Sequence, residues 1–381
     1  MECTVGIGLL GCGTVGASVA QRLLNDHVAI ARRSGVNYEL RAVAIRDCGK
    51  ERPGALDAGL LTRDARALVD DPRIDLIVEV IGGTTDAADL VERALERGRS
   101  VVSANKDLVA TQGPRLRALA NARGGSLRYE AAVCGAIPIV RLLDDSLAGD
   151  RVDAVGGVVN GTCTAILSAM EAGAEYDEAL AEAQRLGYAE ADPANDVEGI
   201  DAAHKLAVLM QLGFGLAVIS PRIRHRGIAQ VSKRDVARAH MLGYRIRLVA
   251  AAARTRHATY ADVAPVLVPA DHPFAQASGP QNVVRVVARD AGSLLISGRG
   301  AGGFPTASAV LGDVVSSLRA IGERHNPSQR AQLEPAIDIA SLFAELSPHS
   351  ELPRYAVWDD SLLEKETTHV RYDRSSVQAT V

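Results

Sequence analysis

The sequence is poor in several things, and each shortage removes a class of explanation. It has five cysteines in 381 residues, Cys3, Cys12, Cys48, Cys134 and Cys163. The count is odd and no pair has CxxC spacing, so neither a disulfide framework nor a zinc site is expected. No apolar run approaches the length of a membrane span. The opening Met1-Glu2-Cys3-Thr4 enters an apolar strand with no basic stretch and no cleavage signal, so the expected location is cytoplasmic. Charge of one sign is also scarce: 42 Lys and Arg against 46 Asp and Glu leave a formal net charge of −4. Arginine is scattered rather than clustered, and no nucleic-acid or membrane partner is expected. The one basic run, residues 222–226, follows Pro221 and reads as a solvated loop. There is no internal repeat.

What is present is globular composition, nearly half of it apolar, in a chain too long for one core, so two domains are expected. The first 150 residues alternate strand and helix. Short apolar strands are expected at residues 5–10, 39–45, 74–80 and 100–103, and a fifth begins at 127–129. Helical periodicity fills 14–33 and 84–97. Strands separated by helices of this length imply right-handed crossovers and an open parallel sheet. The pattern then changes. A strand at 152–159 leads into a helix-rich stretch from 162 to 212, followed by alternating runs at 244–253, 260–268, 283–288 and 293–297. Their hairpin-like spacing predicts a mixed or antiparallel sheet with helices on one face. A last helix is expected at 305–320 after a glycine-rich turn, and periodicity fades beyond Asn326.

Three stretches carry chemistry. Gly11-Cys12-Gly13-Thr14-Val15-Gly16 follows a strand and opens a helix. The first glycine permits the tight turn, the second lets backbone approach a pyrophosphate, and the third lets helix and strand pack closely. The helix N-terminus then offers N–H groups to the phosphates. The second strand ends in Arg46-Asp47, with Lys50 and Arg52 beyond. An acid there suits the ribose hydroxyls of NAD and an arginine the 2′-phosphate of NADP. Both are present, and the cationic neighbours favour NADP, unless Lys50 and Arg52 are solvated loop charges. Ser103-Ala104-Asn105-Lys106 lies at the C-terminal end of the fourth strand, where ligands of open α/β sheets bind. Lys106 is there either a site lysine or a surface one.

The third stretch, residues 187–205, reads GYAEADPANDVEGIDAAHK and holds Glu190, Asp192, Asp196, Glu198 and Asp201. The acids do not match a calcium-loop spacing. From Ile200 the helix is apolar nearly all round, as in a buried helix. Asp201 and Lys205 are four apart and share one face. Charges on a buried helix are costly unless paired, so these two mark either a functional site or a structural ion pair. His204 reads as a packed or capping histidine.

With these motifs in hand, the chain resembles homoserine dehydrogenases from the glycine fingerprint to about Ala320. The resemblance is carried by GCGTVG, SANK, YEAAVCGAIPIV (residues 129–140), VVNGTC (158–163), the block at 182–206 and GAGGFPTASAV (300–310). It implies a Rossmann-type cofactor domain, residues 1–145, to which the last helix (304–320) returns. It also implies an α+β catalytic and dimerisation domain with a mixed sheet, 146–303, and a C-terminal extension, 327–381, too short for an amino-acid-sensing domain. No feedback inhibition by threonine through such a domain is therefore expected. The implied reaction is the NAD(P)-dependent interconversion of L-homoserine and L-aspartate 4-semialdehyde by a homodimer.

The resemblance also assigns residues. Lys205 is implied as the general acid or base, Asp201 as a carboxylate that binds substrate and orients the lysine, and Lys106 as the lysine between cofactor and substrate. Glu190 is implied at the substrate amino end, with Asp196 shaping the pocket. Gly11, Gly13, Thr14, Val15, Gly16, Arg46, Lys50, Ser103, Lys106, Gly187, Gly300 and Gly302 are expected along the cofactor. Backbone carbonyls of Glu130, Val133, Gly135 and Ile137 match those that bind a monovalent cation, usually sodium.

The chain departs from the family pattern in two motifs. NGTCTAIL stands where NGTTNYIL is usual, so Thr164 replaces an asparagine and Ala165 an aromatic, and Arg299 stands where proline is usual. The lost aromatic leaves either a larger pocket or a space refilled by a neighbour. Arg299 either touches a phosphate or faces solvent. Two alternatives therefore stay open: a dehydrogenase of a related amino alcohol in specialised metabolism, and a catalytically silent dinucleotide-binding sensor.

Overall fold

The N-terminal elements largely alternate between strand and helix. In chain order they are β1 (Thr4–Leu10), α1 (Thr14–Asn25), α2 (His27–Ser34), β2 (Asn37–Ala44), β3 (Leu61–Thr62), α3 (Ala65–Asp70), β4 (Leu76–Glu79), α4 (Asp86–Glu96), β5 (Ser100–Ser103), α5 (Lys106–Ala122) and β6 (Ser126–Arg128). The computed structural model describes residues 4–47, 56–189, 192–216, 218 and 220–325. The expectations placed on Lys50, Arg52, Glu190 and the extension 327–381 lie outside the described residues.

The six strands form one parallel sheet in the order β3-β2-β1-β4-β5-β6. Val5, Ile7 and Leu9 of β1 and Leu76, Ile77 and Val78 of β4 have no exposed surface. Both faces of the sheet are covered, which is why these strands read as continuous apolar runs. The strand order reverses between β1 and β4, and ligands of such sheets bind beyond the strand ends at that point.

A short helix, α6 (Ile139–Arg141), and a π turn over Leu142–Ser146 lead to the second sheet. Its elements are β7 (Val152–Val158), α7 (Gly161–Glu171), α8 (Tyr176–Arg185), α9 (Ala194–Val197), α10 (Ile200–Phe214), β8 (Arg224–His225), α11 (Lys233–Met241), β9 (Tyr244–Arg254), β10 (Thr259–Pro269), α12 (Pro273–Gln276), β11 (Gln281–Ala288) and β12 (Gly292–Arg299), followed by α13 (Gly303–His325). The order is β12-β11-β7-β9-β10-β8. All its pairs are antiparallel except β10 with β8. The sheet is therefore mixed, as expected.

Helix α10 packs on β7 and β9 from one side and on α5 from the other. That sandwich explains its nearly uniform apolar surface: Ala202, Ala203, Leu206, Ala207, Val208, Leu209 and Met210 are all buried. Helix α13 joins the first sheet's core, with Ala307, Val310, Val314 and Leu318 beside Val5, Ile7 and Leu9.

Two details differ from what the sequence predicts. The helix expected over 14–33 is broken at Asp26, which closes α1 and opens α2, and the His27 ring is held 2.9 Å from the Tyr38 carbonyl oxygen. The basic run is not simply a loop: Arg224 and His225 form an exposed edge strand beside β10, and the Arg224 guanidinium pairs with Asp262 at 3.0 Å. Strands of two residues such as β3 and β8 carry no readable periodicity. Among the described residues, no helix is long and apolar enough to cross a membrane.

Candidate active site

The glycine turn lies at the reversal between β1 and β4. Gly11 has φ +101°, and a Cβ on it would sit 2.8 Å from Ile81 Cγ2 and 3.0 Å from the Val80 oxygen. A Cβ on Gly16 would stand 2.2 Å from the Gly11 oxygen, so helix and turn are in direct backbone contact. Gly13 differs: nothing lies within 4 Å of the point a Cβ would occupy. The turn is thus filled by protein at its first and third glycines and open at the second, the pattern a pyrophosphate requires.

The glycine-rich turn before α13 meets the same place. A Cβ on Gly303 would lie 3.0 Å from Ser18 Oγ and 3.1 Å from Thr14 Cγ2. Two helices therefore begin side by side, α1 at Thr14 and α13 at Gly303. Their N-terminal N–H groups and dipoles favour an anion between them. Gly302, at φ +120°, makes the turn into α13, and a Cβ on Gly300 would strike the Asn282 side chain at 2.2 Å. Arg46 is exposed just past the end of β2, where the ribose of a bound dinucleotide is read.

The second cluster joins the two sheets. Asp201, in the first turn of α10 and only 3% exposed, stands between two lysines. Its Oδ1 is 2.8 Å from Lys106 Nζ, and its Oδ2 is 2.7 Å from Lys205 Nζ. Lys106 is the first residue of α5, whose N-cap is Asn105, so the spacing of four explains Lys205 but only the fold explains Lys106. Lys205 Nζ also donates to the Val159 oxygen at 2.7 Å. Burial pulls the Asp201 carboxyl upward, but the two ammonium groups outweigh it and hold the carboxyl well below the usual carboxylate range. Burial lowers the Lys106 ammonium, and Asp201 more than reverses this, leaving it raised.

Asn160 completes the cluster. Its Oδ1 caps α7 by accepting from the Cys163 N–H at 2.8 Å. Its Nδ2 donates to Asp196 Oδ1 at 2.7 Å and to Asp201 Oδ2 at 2.9 Å. Asp196 also accepts from Thr162 Oγ1 at 3.2 Å, and Thr162 Oγ1 donates to the Tyr188 oxygen at 2.6 Å. Asp196 therefore lies against α7, and Gly187, at φ +74°, turns the chain just before Tyr188.

In the sequence, Asn160 stands in the Asn-Gly-Thr motif with no role assigned to it. An Asn before a helical run is an N-cap signal, and its second bond to Asp201 becomes visible only in three dimensions. His204 is also more than a packed ring: its Nδ1 lies 2.7 Å from Asp107 Oδ1 on α5. The ring beside it holds the Asp107 carboxyl below its usual range, against the effect of burial. Thr164 is buried with its hydroxyl on the Asn160 oxygen, within its own helix, at 2.9 Å.

The loop holding Glu130, Val133, Gly135 and Ile137 folds sharply. Cys134 and Gly135 have consecutive positive φ values of 58° and 59°. Gly135 packs so closely on the backbone of Gly300 that a Cβ would lie 2.5 Å from it. The Glu130 carboxylate is engaged elsewhere, accepting from the Val140 and Arg141 N–H groups at 2.7 and 3.0 Å.

Comparison with known proteins agrees with this geometry. Residues 138–315 match the family model described as homoserine dehydrogenase, and residues 11–130 match the model of the homoserine dehydrogenase NAD-binding domain. A homoserine dehydrogenase of Corynebacterium glutamicum is 46% identical over 321 residues, which are 83% of this chain and 72% of that one. The crystal structure of a homoserine dehydrogenase from Thiobacillus denitrificans is similar with a TM-score of 0.81 at 42% identity, covering 87% of this chain and 76% of that one. A hyperthermophilic archaeal homoserine dehydrogenase solved in complex with NADPH is similar with a TM-score of 0.70 at 25% identity, covering 86% of this chain and all of that one.

Proposed function

The chain belongs to the homoserine dehydrogenase family, and from that premise we propose that it interconverts L-homoserine and L-aspartate 4-semialdehyde, with Lys205 and Lys106 at the reacting oxygen. The observation that carries the residue assignment is the Lys106–Asp201–Lys205 cluster, with both lysine–carboxylate contacts under 3 Å. NAD(P), when bound, supplies the hydride acceptor or donor at its nicotinamide ring.

An ammonium has three donors. Lys205 places one on Val159 and one on Asp201, which leaves one for a substrate oxygen. Lys205 gives a proton to the forming alkoxide in reduction and takes it from the hydroxyl in oxidation. Asp201 already accepts from Lys106, Lys205 and Asn160, so its main task is to aim the lysines rather than to grip substrate. Glu190 is assigned to the substrate ammonium and Asp196, through Asn160 and Thr162, to the pocket wall.

Gly11, Gly13, Thr14, Val15, Gly16, Ser103, Lys106, Gly187, Gly300 and Gly302 are assigned to the cofactor. Arg46 and Lys50 are assigned to a 2′-phosphate, which makes NADP the preferred form. Carbonyl oxygens of Glu130, Val133, Gly135 and Ile137 would hold a monovalent cation. An all-oxygen donor set suits a hard ion, and the loop that carries it turns sharply at Cys134 and Gly135. Such an ion would brace the loop against Gly300.

The division of labour follows the sheets: residues 1–145 with the helix at 304–320 hold the cofactor, and 146–303 carry substrate and dimer contacts. A homodimer is supported by apolar side chains left exposed on the second sheet and beside α11, namely Tyr260, Leu267, Met241 and Leu242. A cytoplasmic location fits the substrates of this reaction.

The test is steady-state oxidation of L-homoserine with NADP and with NAD, beside a panel of related amino alcohols. The expected outcome is turnover of homoserine, faster with NADP. Turnover of another amino alcohol in its place would overturn the substrate, and tight cofactor binding without any turnover would overturn the activity.

A further inference from the structure

One buried ionisable group at the cofactor end has no part in the chemistry above. Glu79 is the last residue of β4 and has no exposed surface. An acid in that position is costly unless it is fully hydrogen-bonded, and here it is. Its Oε1 accepts from the N–H groups of Ile81 and Gly82 at 2.9 and 3.1 Å. Its Oε2 accepts from Ser103 Oγ at 2.6 Å, across the strand pair that sets Glu79 against Ser103. Ser103 Oγ in turn accepts from the Asn105 N–H at 3.1 Å, so its own proton is directed at Glu79. Burial raises the Glu79 carboxyl, and these donors oppose the rise.

The two segments gathered by this carboxylate are the ones that face the proposed cofactor. The loop after β4 packs on the glycine turn, because Ile81 and Val80 are the atoms nearest to Gly11. The segment after β5 ends in Lys106. Asn105 ties the two again, donating through Nδ2 to the Gly83 oxygen at 2.6 Å and capping α5 through Oδ1 on the Leu108 N–H at 3.1 Å. Lys106 is the next residue, and it reaches Asp201 at 2.8 Å. Glu79 thus stands at the root of a continuous path from the glycine turn to the lysine pair.

We propose that Glu79 is a positioning residue: its carboxylate clamps the loop at 81–83 to the segment 103–106, so that the dinucleotide and Lys106 are presented in one fixed arrangement. The proposal rests on the cofactor assignment made above. A carboxylate is required because backbone and hydroxyl donors converge on both oxygens. In an amide only one of the two terminal atoms accepts, so either the Ile81 and Gly82 N–H groups lose their acceptor or the Ser103 hydroxyl has to turn its proton away and accept in its place.

The experiment compares wild type, Glu79→Gln, Glu79→Asp and Val78→Ala. Val78 is a core neighbour on the same strand without polar contacts, and its truncation reports loss of packing alone. Kd for NADPH is read by fluorescence titration, KM for homoserine and kcat at saturating cofactor, and Tm for each protein. For Glu79→Gln the expected result is a roughly tenfold weaker Kd and a kcat lower by roughly tenfold or more, with homoserine KM changed by less than about twofold. Glu79→Asp keeps the charge but is one methylene shorter, so it lies between the two and carries the test if the Gln variant does not fold. Val78→Ala lowers Tm and leaves Kd within about twofold.

A Glu79→Gln protein with wild-type Kd and kcat overturns the proposal, and so does a Val78→Ala protein that loses as much cofactor affinity. Should wild type itself not turn over homoserine, the substrate assignment fails while the NADPH titration still decides the clamp.

Discussion

Two clusters in this protein have the same charge plan, one carboxylate between two cations, and are assigned opposite uses. In the first, Asp201 lies 2.8 and 2.7 Å from Lys106 and Lys205. In the second, Glu171 at the end of α7 lies 2.7 and 2.6 Å from Arg245 and Arg247 of β9. Arg247 is 1% exposed, and its remaining N–H groups bond the oxygens of Ile246 and Ala275. The cluster's two cations are fixed in charge, because guanidinium does not titrate in the working range. It fastens α7 to the sheet. The lysine cluster has ammonium groups that can give or take a proton, and the Lys106 side chain is 38% exposed. Buried charge alone therefore does not mark a site. The type of cation does: Arg245 is as exposed as Lys106, at 37% against 38%.

The strongest way to break this comparison is to remove a member of each cluster. Lys205→Ala is expected to lower kcat by about 10³-fold, within the range for a lost general acid, while the protein stays folded by circular dichroism. Glu171→Ala is expected to destabilise by about 3–5 kcal/mol, because it strands a buried guanidinium. Urea unfolding measures the second effect. If Lys205→Ala retains turnover, or Glu171→Ala costs nothing in stability, the two clusters have been assigned the wrong way round.

The same separation of scaffold from ligand can be sharpened at the glycine turn. Gly16→Ala forces a Cβ to 2.2 Å from backbone and is expected to cost about 1–3 kcal/mol. Gly13→Ala meets open space, so Tm should hold while NADPH binding weakens by roughly tenfold or more. Equal stability losses in the two variants would remove the reason for placing a pyrophosphate at Gly13. A smaller effect is expected from Arg46→Ala, which should reduce the proposed preference for NADP over NAD by roughly fivefold to tenfold, since it would remove one solvent-exposed contact to a 2′-phosphate. An unchanged ratio of kcat/KM values would assign that role to another group.

The smallest effect is in the pH dependence of stability. Asp201 is depressed on folding, so its contribution is complete above its ordinary value of 3.8 and is lost as pH falls through the lower folded value. Lys106 is raised, so its contribution is complete below 10.5 and is lost as pH rises through the higher folded value. The stability gap between wild type and Asp201→Asn should therefore be flat from about pH 5 to pH 10 and shrink beyond both ends. A gap that changes near neutrality would contradict the pairing.

Much of this was legible in the sequence where the physics is local. The glycine turn could be read because the helix start, the tight turn and the close strand contact each demand a missing side chain within six residues. The covered parallel sheet could be read from unbroken apolar strands, and the buried helix from an apolar surface without a polar side. The spacing from Asp201 to Lys205 put both on one face.

Tertiary structure alone decided the rest. Lys106 and Asp201 are 95 positions apart in sequence, and only the packing of α5 on α10 makes them partners. Asn160, given no role from the sequence, caps α7 and holds Asp201 and Asp196. Asp26 broke a helix whose periodicity ran on. Whether Asp201 with Lys205 was a site or an ion pair stayed open in the sequence, because pairing satisfies a buried charge equally well in both. The proposal that it is a site rests on what the fold brings to the carboxylate: a second lysine at the end of the first sheet, its side chain partly exposed.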